Sequence, residues 1–188
     1  GALGNDKSGA FGGDSTNTVV AGGPVTLRSD APAVQIVAAF GSSCALQADY
    51  RVTCWGALDG AYSDLLGQAI EGHHLNVGSG DRSVATVSPI VFHTETTLIK
   101  QIDGDTAHLC ALTVDDRVFC WGYNTYGQLG RDSDTYLVAA DSLAGPTDVS
   151  VTLPSGVTPA RVFVTGLSSC VLSTLGDTYC WGGGFADT

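Results

Sequence analysis

The chain has 188 residues, 44% of them hydrophobic and 14% charged, with 25 glycines against six prolines, a composition that describes a globular protein with a substantial core and many tight turns. Nineteen acidic against eight basic side chains give a formal charge of −11, which disfavours nucleic acid and anionic membranes as partners because like charges repel within a Debye length. No apolar run reaches the roughly 18 residues of a membrane span, and no charged segment leads into an apolar one, so neither membrane insertion nor a leader segment is expected.

Taken from the start, residues 1–30 are expected to hold part of a repeat: Leu3-Gly4, then the extended Pro24-Val25-Thr26-Leu27. Asn5, Asp6 and Asp14 carry oxygens that calcium could use, but they fit no defined calcium loop and read as solvated turns. A β-rich run through Ile36 leads into Cys44-Ala45-Leu46, a polar break at Asp49-Tyr50-Arg51, and Val52-Thr53-Cys54-Trp55-Gly56. Leu66-Gly67 and Pro89-Ile90-Val91-Phe92 follow. The same order returns with Ile102, Cys110-Ala111-Leu112, Asp115-Asp116-Arg117 and Val118-Phe119-Cys120-Trp121-Gly122, and again with Val162, Cys170-Val171-Leu172, Leu175-Gly176-Asp177 and Thr178-Tyr179-Cys180-Trp181-Gly182. Cys44 to Cys110 is 66 positions and Cys110 to Cys170 is 60, so the chain is a repeat array with divisions expected at 31–95, 96–157 and 158–188.

Two alternating apolar runs around a polar break make a β-hairpin. With the turn centred five residues past the first cysteine, Leu46 faces Val52, Leu112 faces Val118, and each cysteine faces its partner ten positions on. Residues opposed on antiparallel strands lie within disulfide reach, and this register selects Cys44–Cys54, Cys110–Cys120 and Cys170–Cys180. Six free thiols or zinc ligation are the competing readings. Zinc fits poorly, since CxxC pairs are absent and each hairpin would be short of ligands. Disulfides imply an oxidising compartment, outside a cell, at its surface or in a periplasm.

Chemistry-bearing residues are sparse. Glu71, His73, His74 and His93 form the most site-like cluster, a weak candidate for a transition metal, because adjacent histidines on an extended segment point in opposite directions. Asp132 and Asp134 after Gly130 read as a turn. Trp55, Trp121 and Trp181, each followed by a glycine (Gly56, Gly122, Gly182), recur beside a cysteine and read as core between repeats before they read as a sugar-stacking surface. No Ser/His/Asp or Cys/His constellation stands out, so neither an enzyme nor a cofactor is expected. Asn-x-Ser/Thr does not occur, so N-glycans are not expected either.

The stretch from Ile102 to Gly130, with Gly104, His108, Cys110-Ala111-Leu112, Asp115, Val118, Trp121-Gly122, Asn124, Gly127 and Gln128-Leu129-Gly130, closely resembles the repeat of the regulator of chromosome condensation family. The other two copies carry the frame in weaker form, with Ser42 and Ser168 in place of His108. The resemblance implies an all-β propeller of antiparallel four-stranded blades, with His108 a structural residue. Paired cysteines flanking Ala-Leu and Trp-Gly resemble the secreted or surface-exposed bacterial variant of the family. The founding member's nuclear exchange activity depends on a wedge and a charged face that find no counterpart here.

Three repeats are too few to close a ring. The tail after Trp181 and the head at Leu3 fit together as one repeat, so the expected partners are proteins: copies of the chain joined head to tail by completing blades, into a ring or filament, or adjoining repeats of a longer chain. The function expected is that of a non-enzymatic, extracellular, structural or protein-binding module. The alternative is a secreted inhibitor or ligand-binding propeller that caps a partner protein with loops on one face.

Overall fold

A computed structural model describes residues 4, 23–28, 31–39, 41–56, 83–92, 94, 96–106, 108–131 and 150–183. Nine strands form three sheets in chain order: β1 (Ala33–Ala39), β2 (Ser42–Gln47) and β3 (Val52–Gly56); β4 (Ile99–Asp105), β5 (His108–Thr113) and β6 (Val118–Gly122); β7 (Pro159–Thr165), β8 (Ser168–Ser173) and β9 (Thr178–Gly182). Every pairing is antiparallel between consecutive strands. The three innermost strands lie side by side, β4 between β1 and β7.

The hairpins have one register throughout: Leu46 opposes Val52, Leu112 opposes Val118, Leu172 opposes Thr178, and each cysteine opposes its partner. The turns are equally uniform. Tyr50, Asp116 and Gly176 each donate an amide hydrogen to the residue three positions back, Gln47, Thr113 and Ser173. All three have positive φ, at 64°, 64° and 93°, the left-handed step that lets a short turn return a strand in the sheet's own twist. The reading from spacing alone is therefore correct to the residue here.

The four-stranded expectation is corrected: among the described residues each sheet has three strands. The segments expected to supply the fourth are present at two of the sheets but are tied by little backbone pairing. Ile90 donates to the Val52 carbonyl at 2.8 Å and Val151 to the Val118 carbonyl at 2.7 Å. Pro89, just before Ile90, has no N–H to extend such a ladder. What holds these segments is side-chain burial, since Ile90, Phe92 and Val151 face inward.

The core lies between the sheets. One cluster joins Val37, Leu46, Trp55, Val84, Val87, Ile90 and Phe92 to Ile99, Ile102, Leu109, Phe119 and Trp121. A second joins Leu112, Val118, Leu129 and Val151 to Val162, Val164 and Val171. Sheet 2 is therefore covered on both faces. In sheet 3, β8 and β9 alternate between more and less buried residues, which leaves one face uncovered among the described residues.

Candidate interaction surfaces

Each innermost strand has a register irregularity just after its first residue, between Ala33 and Gln35, Ile99 and Gln101, and Pro159 and Arg161. A bulge of this kind bends a strand and re-aims the following side chain. In sheets 1 and 2 that side chain is a glutamine, and it reaches the backbone of the next sheet. Gln35 donates from Nε2 to the Ile102 carbonyl at 2.5 Å and accepts the Ile102 N–H on Oε1 at 3.0 Å. Gln101 repeats this on Val162, at 2.7 and 2.9 Å. Only a side-chain amide offers a donor and an acceptor in the spacing of a backbone unit. The glutamines thus occupy the unpaired edges that β4 and β7 present, groups that are costly to bury unmet.

Between sheets 2 and 3 the clamp continues as a ladder. Asp103 Oδ2 accepts the Val164 N–H at 2.8 Å and Asp105 Oδ2 accepts the Gly166 N–H at 2.7 Å. The Gly166 N–H is the main reason the Asp105 carboxyl lies below its ordinary range, with Thr106 adding to it. A buried chain of hydrogen bonds crosses the same joint. The Ser169 hydroxyl and the Trp181 indole N–H both donate to the Gln128 carbonyl at 2.9 Å. With its proton so used, Ser169 receives the Nε2–H of His108 at 2.8 Å. His108 is fully buried, and burial pushes its pKa down to about 4, so the ring is neutral and structural at ordinary pH.

The Gln128 carbonyl is positioned by the loop Asn124 to Gly130. Asn124 Oδ1 accepts the Leu129 N–H at 3.0 Å, Gln128 Oε1 accepts the Tyr126 N–H at 2.9 Å, and Gly130 turns at φ 62°. A Cβ at Gly130 would lie 2.7 Å from Trp181 Nε1, so the glycine is the seat of the next repeat's indole. Gly4 stands against Trp55 in the same way.

The cysteines are bonded as Cys44–Cys54, Cys110–Cys120 and Cys170–Cys180, with Cα atoms 4.0, 4.1 and 4.1 Å apart. Trp55 and Trp121 are buried, and Trp181 is half-buried beneath Gly130, so none of them offers an open stacking face. The glycines after them let the chain pass closely; a Cβ at Gly56 would strike the Gly41 carbonyl and one at Gly182 the Leu167 carbonyl. Glu71, His73, His74 and His93 lie outside the described residues, as do Asn5, Asp6, Asp14, Asp132 and Asp134. Among the described residues no three His, Cys, Asp or Glu side chains gather as a metal would require, and no helix is long and apolar enough to cross a membrane. Two open grooves are present among the described residues, one along Thr94, Thr97, Val114, Asp115 and Arg117, the other along Arg28, Asp49, Arg51, Ser88 and Pro89. Sequence reasoning missed the clamping glutamines. The signal was available, since Gln35 and Gln101 each stand nine positions before the first cysteine of their hairpin.

A family model described as the regulator of chromosome condensation (RCC1) repeat matches residues 104–128. Among solved structures, human WBSCR16 superposes with a TM-score of 0.65 at 16% identity, covering 96% of this chain and 40% of that one. Yeast RCC1 (Prp20), solved bound to Kap60, gives a TM-score of 0.58 at 23% identity over 84% of this chain and 31% of that one. Prp20p from Saccharomyces cerevisiae, in a structure described with its binding to Gsp1p and histones, gives 0.54 at 16% identity over 80% and 33%. The chain thus spans well under half the length of these proteins, and at such identities the likeness shows the fold, a β-propeller of repeated blades. No curated protein sequence matches the chain.

Proposed function

The chain carries RCC1-like repeats, and from that premise we propose that it is a non-enzymatic, protein-binding propeller segment that works outside the cell or at its surface and joins neighbouring blades through its two open ends. Three bonded cysteine pairs support the oxidising compartment. The solved relative bound to Kap60 supports protein binding as a use of the fold.

One observation carries the reading. Ile36, Ile102 and Val162 hold the same position in β1, β4 and β7, yet Ile102 and Val162 are 0% exposed and Ile36 is 64% exposed. At the other end, sheet 3 leaves Phe163 41% exposed. The two ends are also complementary halves. Val25 and Leu27 pack on the first core cluster as Leu153 packs on the second, an outer segment without inner strands of its own among the described residues. Sheet 3 is three inner strands without an outer segment among the described residues. The fitting neighbour is a copy of the chain, head to tail, or an adjoining repeat.

Sedimentation of the oxidised chain tests this. The 19.2 kDa chain is expected to show mass that grows with concentration and to lose it on reduction. A strictly monomeric species near 100 µM, the low-affinity end of specific association, would count against joining between copies.

A further inference from the structure

At each internal joint a bulge aims one side chain at the backbone of the next innermost strand, and both times it is glutamine. In sheet 3 the same register position, opposite Leu172 as Gln101 is opposite Leu112, holds Arg161. The unit awaiting such a contact is Ile36. It opposes Ala45 as Ile102 opposes Ala111 and Val162 opposes Val171, so its N–H and C=O face outward from β1 as theirs do. A guanidinium has five donors and no acceptor. Arg161 of a second copy could meet the Ile36 carbonyl but would leave the Ile36 N–H buried and unmet, a loss on the order of tenfold in affinity or more.

The rest of the β7 face does fit. Phe163 and Thr165 stand where Val37 and Ala39 stand in β1, and at the joint that Val37 and Ala39 make it is Gln35 that reaches the next sheet's backbone among the described residues. We propose that the β1 edge is a docking edge for a blade of this same repeat type whose innermost strand carries glutamine at the position of Gln35 and Gln101, and that Arg161 makes the chain's own last blade a poor occupant of it. This rests on the reading that the open ends receive blades, and it names which blade the β1 end selects.

The test uses the chain as its own probe. The variant Arg161→Gln alters an exposed residue, and its fold is checked by three intact disulfides and an unchanged melting curve. Combining it with Ile36→Pro gives a probe that offers a glutamine but has no N–H at its own β1 edge; the outward position tolerates proline because that N–H takes no part in the sheet. Mixed with the unaltered chain, the Arg161→Gln/Ile36→Pro probe is expected to form a 1:1 complex at least about tenfold tighter than Ile36→Pro alone forms. Equal or weaker binding of the glutamine probe, with Ile36→Pro still binding, overturns the selection while leaving blade joining in place. Binding by neither overturns both. If the unaltered chain alone is monomeric but binds the glutamine probe, the inference stands and joining between identical copies does not.

Discussion

Among the described residues, the contact between sheets 1 and 2 is an aromatic core with one side-chain amide clamp: Phe92 packs edge-on against Trp121 at 5.4 Å and tilted against Phe119 at 6.1 Å, and Gln35 clamps Ile102. Between sheets 2 and 3 the buried side chains are the smaller aliphatics Leu112, Val118, Leu129, Val162 and Val171, and the joint is laced by Gln101, Asp103, Asp105 and the His108–Ser169–Gln128 chain. The strands and their register are the same in both. Apolar burial is non-directional and scales with area, whereas hydrogen bonds fix relative position and are costly when broken in a buried place. Among the described residues, one repeat unit is therefore joined mainly by bulk in one place and mainly by alignment in the other.

The sharpest way to break this comparison is to remove the bulk. Phe92→Ala is expected to cost about 3–5 kcal/mol by denaturant unfolding of the oxidised chain, the range for emptying a buried aromatic site. Leu153→Ala, the equivalent change at the polar joint, is expected to cost less than half of that, since Leu153 is only partly buried. Equal losses would show that both joints depend on burial alike.

Acid should act on the other joint. The folded pKa of His108 is about 4, below its ordinary 6.5, so the unfolded chain binds more protons in between. The stability that neutral His108 provides is complete above about pH 6.5 and falls as pH drops towards 4, by roughly 3 kcal/mol. Asp105 acts in the same direction, because its carboxyl is held low by Gly166 and loses that stabilisation as pH falls through its folded value. Unfolding measured at pH 7 and pH 4, in the parent and in His108→Gln, isolates the histidine. The variant should lose most of the difference, and an unchanged slope would remove His108 from the account.

Whatever was local along the chain was legible from its sequence. The hairpins and cysteine pairing follow from two-residue alternation around a tight turn midway between cysteines ten positions apart, a pattern that one slip would turn inside out. The expectation of a fourth strand failed because Pro89-Ile90-Val91-Phe92 looks extended and is extended, while its attachment is decided by what Phe92 meets in the next sheet. The glutamines were invisible for a related reason. A polar residue in a strand reads as solvent-facing, and the partners of Gln35 and Gln101 lie 67 and 61 positions away. Only the fixed offset from the first cysteine could have singled them out, and Arg161 breaks that pattern at the third copy. The histidine cluster at 71–74 and 93 lies outside the described residues.

The finest distinction concerns reach. Gln35→Leu and Gln101→Leu each leave one N–H and one C=O of the next innermost strand without their amide partner, a loss of about 1–3 kcal/mol in either case. Their consequences should nonetheless spread differently. At the polar joint Asp103 and Asp105 still hold Val164 and Gly166, so in Gln101→Leu faster amide hydrogen exchange should be confined to Val162. At the apolar joint Gln35 is the clamp that fixes the sliding position of β1 against β4, with Val37 and Ala39 where the aspartates would stand. In Gln35→Leu exchange should therefore rise at Ile102 and also at Val37 and Ala39, whose amides turn towards β2, as sheet 1 opens as a unit of its own. Exchange that stays confined to Ile102 would show that the aromatic packing around Phe92 sets alignment without directional help, because contacts that are individually non-directional can still interlock by shape.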